Sequence, residues 1–118
     1  MHEMGIALEI IDIATASIPP DLAGVPIARV NLNIGKLSAV VPESLRFCFE
    51  IAARDTALAG AELHIAEISV VARCAACRHQ WTVEDPVFRC PTCDATDLKI
   101  ISGRELDIQS IEIKEEDN

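Results

Sequence analysis

Four of the five cysteines stand in two pairs, Cys74-Ala75-Ala76-Cys77 and Cys90-Pro91-Thr92-Cys93, with twelve residues between them. A C-x-x-C knuckle turns back on itself so that two thiolates face one centre, and two knuckles supply the corners of a tetrahedron. Zn²⁺ takes four sulfurs at about 2.3 Å in this way and keeps no open position, so Cys74, Cys77, Cys90 and Cys93 predict a structural zinc site without chemistry of its own. Two disulfides or a redox dithiol leave the regular spacing unexplained. A rubredoxin-like iron centre uses similar knuckles, but only Trp81 and Phe88 are at hand to shield it, and zinc is preferred. Cys48, the fifth, reads as a small core residue.

The three histidines are far apart in sequence. His64 alternates with Leu63 and Ile65 and reads as the solvent side of a strand. His79 follows the first knuckle, where it reads as a polar loop residue with the option of tuning a zinc thiolate. His2 is chemically special. Methionine aminopeptidases need a small second residue, so Met1 is expected to be retained with a free α-amine. That amine, the deprotonated His2 amide and the His2 imidazole form fused chelate rings favouring a planar nitrogen site, the geometry of Ni²⁺ or Cu²⁺. Protons compete with the metal for these nitrogens, so binding weakens as pH falls. Glu3 can add a carboxylate, its amide or a supporting hydrogen bond. An exposed terminal histidine that is merely solvated is the plain alternative.

These groups need elements to place them. Residues 3 to about 17 read as a helix with Ile6, Ile10 and Ile13 on its apolar side, ended by Pro19-Pro20 and weakened at its first turn by Gly5. From Ala28 the period becomes two, with Ala28, Val30, Leu32 and Ile34 on one face of a strand ending at Gly35. Pro42 and Glu43 suit the first turn of a second helix, whose stripe is Leu45, Cys48, Phe49 and Ala52. Two stretches, Leu63-x-Ile65-x-x-Ile68-x-Val70 and Leu106-x-Ile108-x-x-Ile111-x-Ile113, share a one-residue slip that transfers apolar side chains to the other face. Each therefore predicts a bulge or a crossing between two buried environments, and the match suggests that the two are neighbours.

The expected fold class is α+β: a small mixed three-stranded sheet with two helices, plus an inserted zinc-ribbon-like head. The strand–helix–strand unit favours a parallel crossover and the last strand an antiparallel return. The predicted body is discontinuous, residues 1–72 and 98–118, with the head over 73–97. At 118 residues, half of them apolar, no second domain of ordinary size fits. No apolar run spans a membrane and no signal-peptide pattern opens the chain, which places it in the cytoplasm. The formal charge is −9, and the head is balanced before a tetrathiolate zinc adds two negative charges, which argues against nucleic acid. No phosphate-binding or dinucleotide motif is present, and no enzyme activity is expected.

Met1-His2-Glu3, the segment Pro42-Glu43-Ser44-Leu45-Arg46-Phe47-Cys48-Phe49, Gly60-Ala61-Glu62-Leu63, the paired knuckles and Gly103-Arg104-Glu105-Leu106…Ser110-Ile111-Glu112 together resemble the HypA/HybF family of hydrogenase-maturation nickel metallochaperones. The resemblance covers essentially the whole chain in matching order. It implies that the start supplies a nickel site, with His2 as principal side-chain ligand, Met1 and backbone amides as further donors and Glu3 as a contributor, and that the four knuckle cysteines hold zinc. It further implies a HypB-type GTPase and the large subunit of a [NiFe]-hydrogenase as partners, with urease served by some members. One departure stands out. Some relatives carry an acid between the first strand and second helix that assists nickel, and Val41 stands there, leaving Glu43 or water to complete the sphere. A zinc-ribbon adaptor or regulatory interaction protein without nickel cargo is the competing reading.

Overall fold

The computed structural model describes residues 3–114. In chain order it contains α1 (Glu3–Ala16), a short 3-10 turn at Pro20–Leu22, β1 (Ile27–Gly35), α2 (Pro42–Ala52), β2 (Glu62–Ile68), β3 (Val70–Cys74), β4 (Gln80–Val83), β5 (Leu98–Ser102) and β6 (Leu106–Ile113). Two three-stranded sheets form, in the orders β2-β1-β6 and β4-β3-β5. The chain divides into two compact units. Unit 1 takes in Val40–Ala66 and the described parts of Met1–Leu32 and Asp107–Asn118, and unit 2 takes in Asn33–Ala39 and Glu67–Leu106.

In unit 1, α1 packs on α2. The buried side of α1 is Ile6, Ala7, Ile10, Ile11 and Ala14. Ile13, expected on that face, is 47% exposed, because the stripe of a 3.6-residue helix drifts from Ile10 to Ile11 and Ala14. Pro19 and Pro20 end the helix as expected, Pro20 opening the 3-10 turn. On β1 the buried residues are Ile27, Val30, Leu32 and Ile34, whereas Ala28 is exposed: the period-two face begins one step later than the sequence suggested. Leu45 and Phe49 form the buried stripe of α2, with Cys48 half-buried beside them.

Backbone hydrogen bonds set the directions within the first sheet. Ile27 N–H donates to the Ala57 carbonyl and Lys36 N–H to that of Ile68, so numbers rise together and β1 and β2 run parallel. Lys114 N–H donates to the Pro26 carbonyl and Gly35 N–H to that of Glu105, so β6 returns antiparallel. The expected neighbour relation between the two slipped strands does not hold: β1 lies between β2 and β6. The shared pattern instead has two local causes. The first slip falls between Ile65 and Ile68, where β2 passes from unit 1 to unit 2 after Ala66, so it is a crossing between two buried environments. On β6 the half-buried isoleucines are Ile108 and Ile111, three residues apart.

The second sheet belongs to unit 2 and was not foreseen. β3 pairs antiparallel with β4 and with β5, the latter with a register shift between Val71 and Ala72. The head expected over 73–97 lies inside this larger unit, which also holds 33–39, 67–72 and 98–106. Two glycines join those segments. An added Cβ at Gly35 would collide with the Gly103 carbonyl, and Gly103 has φ +117° with Val70 where its own Cβ would go. Leu37 N–H donates to the Gly103 carbonyl at 2.7 Å across the same contact.

Candidate metal centre

Unit 2 brings together all four knuckle cysteines, their sulfurs within 4.8 Å of one another. The Cys74 and Cys93 sulfurs are 3.5 Å apart and those of Cys77 and Cys90 3.6 Å. A tetrahedron with arms of about 2.3 Å has edges of about 3.8 Å, close to these two spacings, so the four thiols are placed to close on Zn²⁺. No disulfide links them.

The knuckles are built alike, residue for residue. Cys74 N–H donates to the His79 carbonyl and Cys90 N–H to the Ala95 carbonyl; Arg78 N–H closes on the Cys74 carbonyl as Asp94 N–H does on that of Cys90. Arg78 and Asp94, each directly after its knuckle, sit at φ 64° and 66°, the left-handed conformation that reverses the chain. Within each loop the second cysteine's N–H points at the first cysteine's sulfur, 3.5 Å away in both, and Thr92 N–H adds another at 3.4 Å to Cys90. Cys74 and Cys90 are buried, Cys77 and Cys93 exposed.

That asymmetry appears in the thiol acidities. The Cys77 N–H is the main reason the Cys74 thiol lies below its ordinary value. Burial pushes Cys90 up, but the N–H groups of Cys93 and Thr92 and the adjoining thiols outweigh it and bring it down to about 6. Cys93 receives help from the Ala95 N–H, yet the Cys74 thiol, burial and the other two sulfurs push it up to about 12. For Cys77 the His79 N–H favours the thiolate, and burial with the Cys90 and Cys74 sulfurs overrides it and raises the pKa. Each knuckle thus pairs a first cysteine whose thiol is made more acidic with a second whose thiol is made less so, and a dication would displace the protons that remain.

His79 is not among the ligating side chains. Its ring stacks on Trp81 at 5.6 Å with a 9° interplanar angle, while its backbone carbonyl braces Cys74. His64 is exposed on β2, as its alternation implied. Cys48 lies on α2, apart from the four-sulfur group.

Of the expected nickel ligands, Met1 and His2 lie outside the described residues. Glu3 opens α1, and its carboxylate Oε2 lies 3.4 Å from the N–H of Val41, the residue that caps α2. Val41, 51% exposed, brings a backbone donor where an acid was sought; Glu43 is exposed in the first turn of α2.

A small α+β protein with a closed Cys₄ metal site is the class that this fold and site define. The comparisons narrow it. The family described as "Hydrogenase/urease nickel incorporation, metallochaperone, hypA" matches residues 1–113, and the chain belongs to it. It is 57% identical over 115 residues to the hydrogenase maturation factor HypA of Desulfosudis oleivorans, covering 98% of this chain and all of that one. Identity to the HypA of Desulfatibacillum aliphaticivorans is 54% over 113 residues, 96% of this chain and 87% of the relative. In fold it is similar to the solution structure of the nickel metallochaperone HypA from Helicobacter pylori, with a TM-score of 0.67 at 24% identity, covering 98% and 100% of the two chains. Among the described residues no helix is long and apolar enough to cross a membrane.

Proposed function

We propose that this chain carries Ni²⁺ at its N-terminus and delivers it in the maturation of [NiFe]-hydrogenase, with zinc held permanently by Cys74, Cys77, Cys90 and Cys93. The observation that carries this reading is the family match from residue 1 to 113, which spans the start of the chain and both knuckles. The four-sulfur site is closed by its own ligands, so a cargo ion needs a separate site. That site is Met1, His2 and Glu3: the α-amine, backbone amides and His2 imidazole supply nitrogens, and Glu3 steadies the start of α1 through the Val41 N–H. With Val41 in place of an acid, water or Glu43 completes the sphere.

A carrier works by release rather than turnover, and a site at a helix start suits release. An added Cβ at Gly5 would meet nothing within 4 Å, so packing does not demand glycine there. Its cost of about 1 kcal/mol relative to alanine loosens the first turn. The partners are a HypB-type GTPase and the hydrogenase large subunit in the cytoplasm, with urease accessory proteins as a further destination.

Calorimetry on untagged, zinc-loaded protein tests this. Nickel binding is expected to be lost in His2→Ala while zinc stays at one per chain in both proteins. Equal nickel binding by both would leave a zinc-held adaptor as the better description.

A further inference from the structure

Unit 2 carries a second feature that neither metal uses. Leu37, Phe88, Thr96, Leu98, Ile100 and Arg104 line an open cavity of about 450 Å³. Leu98 and Ile100 are alternate residues of β5 and so present the same face. Leu37 is fixed there by its N–H bond to the Gly103 carbonyl, and Lys36 N–H anchors the preceding residue to Ile68. Phe88 stands two residues before Cys90 and Thr96 three after Cys93, so the second knuckle sets both. Phe88 is 41% and Leu37 37% exposed, large apolar side chains left open on a small protein.

The cation at this groove is uncommitted. Arg29, Arg73 and Arg89 have carboxylate or amide partners, whereas Arg104 has no side-chain partner among the described residues. The adjacent Glu105 does not neutralise it: its carboxylate accepts the Gly103 N–H at 2.8 Å. A groove whose lining is half apolar and half polar, with one unpaired guanidinium, is complementary to a carboxylate flanked by aliphatic side chains, since guanidinium and carboxylate match in charge and geometry. The volume suits two or three side chains.

We infer that this groove is a docking site for an extended segment of a partner protein bearing an aspartate or glutamate between aliphatic residues. The apolar walls supply affinity and Arg104 selects the acidic segment. Because the second knuckle positions Phe88 and Thr96, the groove exists only with the Cys₄ centre intact, which gives that centre a recognition role. The inference concerns unit 2 alone and stands whether or not nickel binds at the N-terminus.

The test uses isotope-labelled, zinc-loaded full-length protein titrated with the peptide Ac-Ser-Leu-Asp-Ile-Ser-amide and with its Asn counterpart, followed by amide shifts. Shifts centred on Leu37, Phe88, Leu98, Ile100 and Arg104 are expected, with the Asn peptide about tenfold weaker. Arg104→Glu should abolish binding and Arg104→Lys retain part of it, each with one zinc per chain to show that the unit is folded. Equal affinity for the two peptides, an unaffected Arg104→Glu variant, shifts centred elsewhere, or no shift at millimolar peptide would overturn the proposal. Groove signals that instead follow protein concentration would replace the partner segment with a second copy of the chain.

Discussion

Along 3–32, 40–66 and 107–114 the buried side chains are mainly aliphatic: Ile6, Ile10 and Ile11 of α1, Ile27, Val30 and Leu32 of β1, Leu45 and Phe49 of α2, then Leu58 and Leu63. Along 33–39 and 67–106 the buried apolar set shrinks to Ile34, Val70 and Ala72, joined by Cys74 and Cys90. Unit 1 is therefore held by transfer of apolar surface from water. Unit 2 is too small and too sparsely filled for that, and two of its buried residues belong to the four-cysteine cluster; under the proposed function an ion there does the work of a core. Charge divides the same way. Residues 33–39 and 67–106 carry six basic and six acidic side chains, so the whole formal charge of −9 falls on the rest of the chain. One region is an apolar scaffold; the other is organised around four clustered cysteines.

The sharpest way to break this contrast is to remove the zinc. Chelation, or Cys90→Ser, should unfold β3, β4 and β5 while the helical far-UV signal of α1 and α2 remains, since apparent zinc binding energies of about 10–16 kcal/mol are folding energies in such units. Rebinding at neutral pH should release about four protons per chain, because the thiols of the unfolded, zinc-free unit return to an ordinary pKa of about 8.5 and all four must ionise to bind the metal. Calorimetry in buffers of different ionisation enthalpy counts them, and zinc affinity should fall as pH falls. Loss of all helix on chelation would make the units interdependent.

Leu45→Ala reaches the other side of the comparison. Leu45 is fully buried, and the cavity should cost unit 1 about 2–5 kcal/mol in urea unfolding with zinc content unchanged. Gly103→Ala sharpens the picture of unit 2: a side chain at φ +117° against Val70 should cost about 1–3 kcal/mol and lower zinc retention, without moving the α1 and α2 signals. The smallest effect is expected on the first sheet's polar face, where Asn31 donates to Glu112 at 2.9 Å and Arg29 bonds Glu62 and Glu112. The Asn31 amide first, then Arg29, hold the Glu112 carboxyl below its ordinary value. A depressed acid stabilises the fold above its unfolded pKa and loses that contribution as pH falls through the folded one. Asn31→Ala should thus reduce stability slightly at neutral pH and converge with the parent in acid.

The grouping of the four cysteines, both helices and the three strands of the first sheet were legible in the sequence because cysteine spacing and hydrophobic period are local signals. The second sheet was hidden for a physical reason. β4 and β5 are four and five residues long, with Trp81, Val83, Leu98 and Ile100 only half-buried, so their alternation is short and weak against the cysteines. The left-handed turns at Arg78 and Asp94 left no glycine to mark them. Gly35 and Gly103 make sense only together, sixty-eight residues apart, because each is required by a contact that sequence order conceals. The misplacement of Ile13 came from running the Ile6–Ile10 stripe on past its drift, and the false pairing of β2 with β6 from reading a shared pattern as a shared neighbour, when the passage of β2 between the two units after Ala66 produced one of the two slips.

The central claim is that two metals occupy two different regions by two different chemistries. X-ray absorption at the zinc and nickel edges of one sample, untagged and loaded with both ions, tests it most directly. The account predicts four sulfurs at about 2.3 Å around zinc, unchanged on nickel addition, and only nitrogen and oxygen around nickel. Sulfur in the nickel sphere, or a zinc shell that loses sulfur when nickel binds, would contradict it.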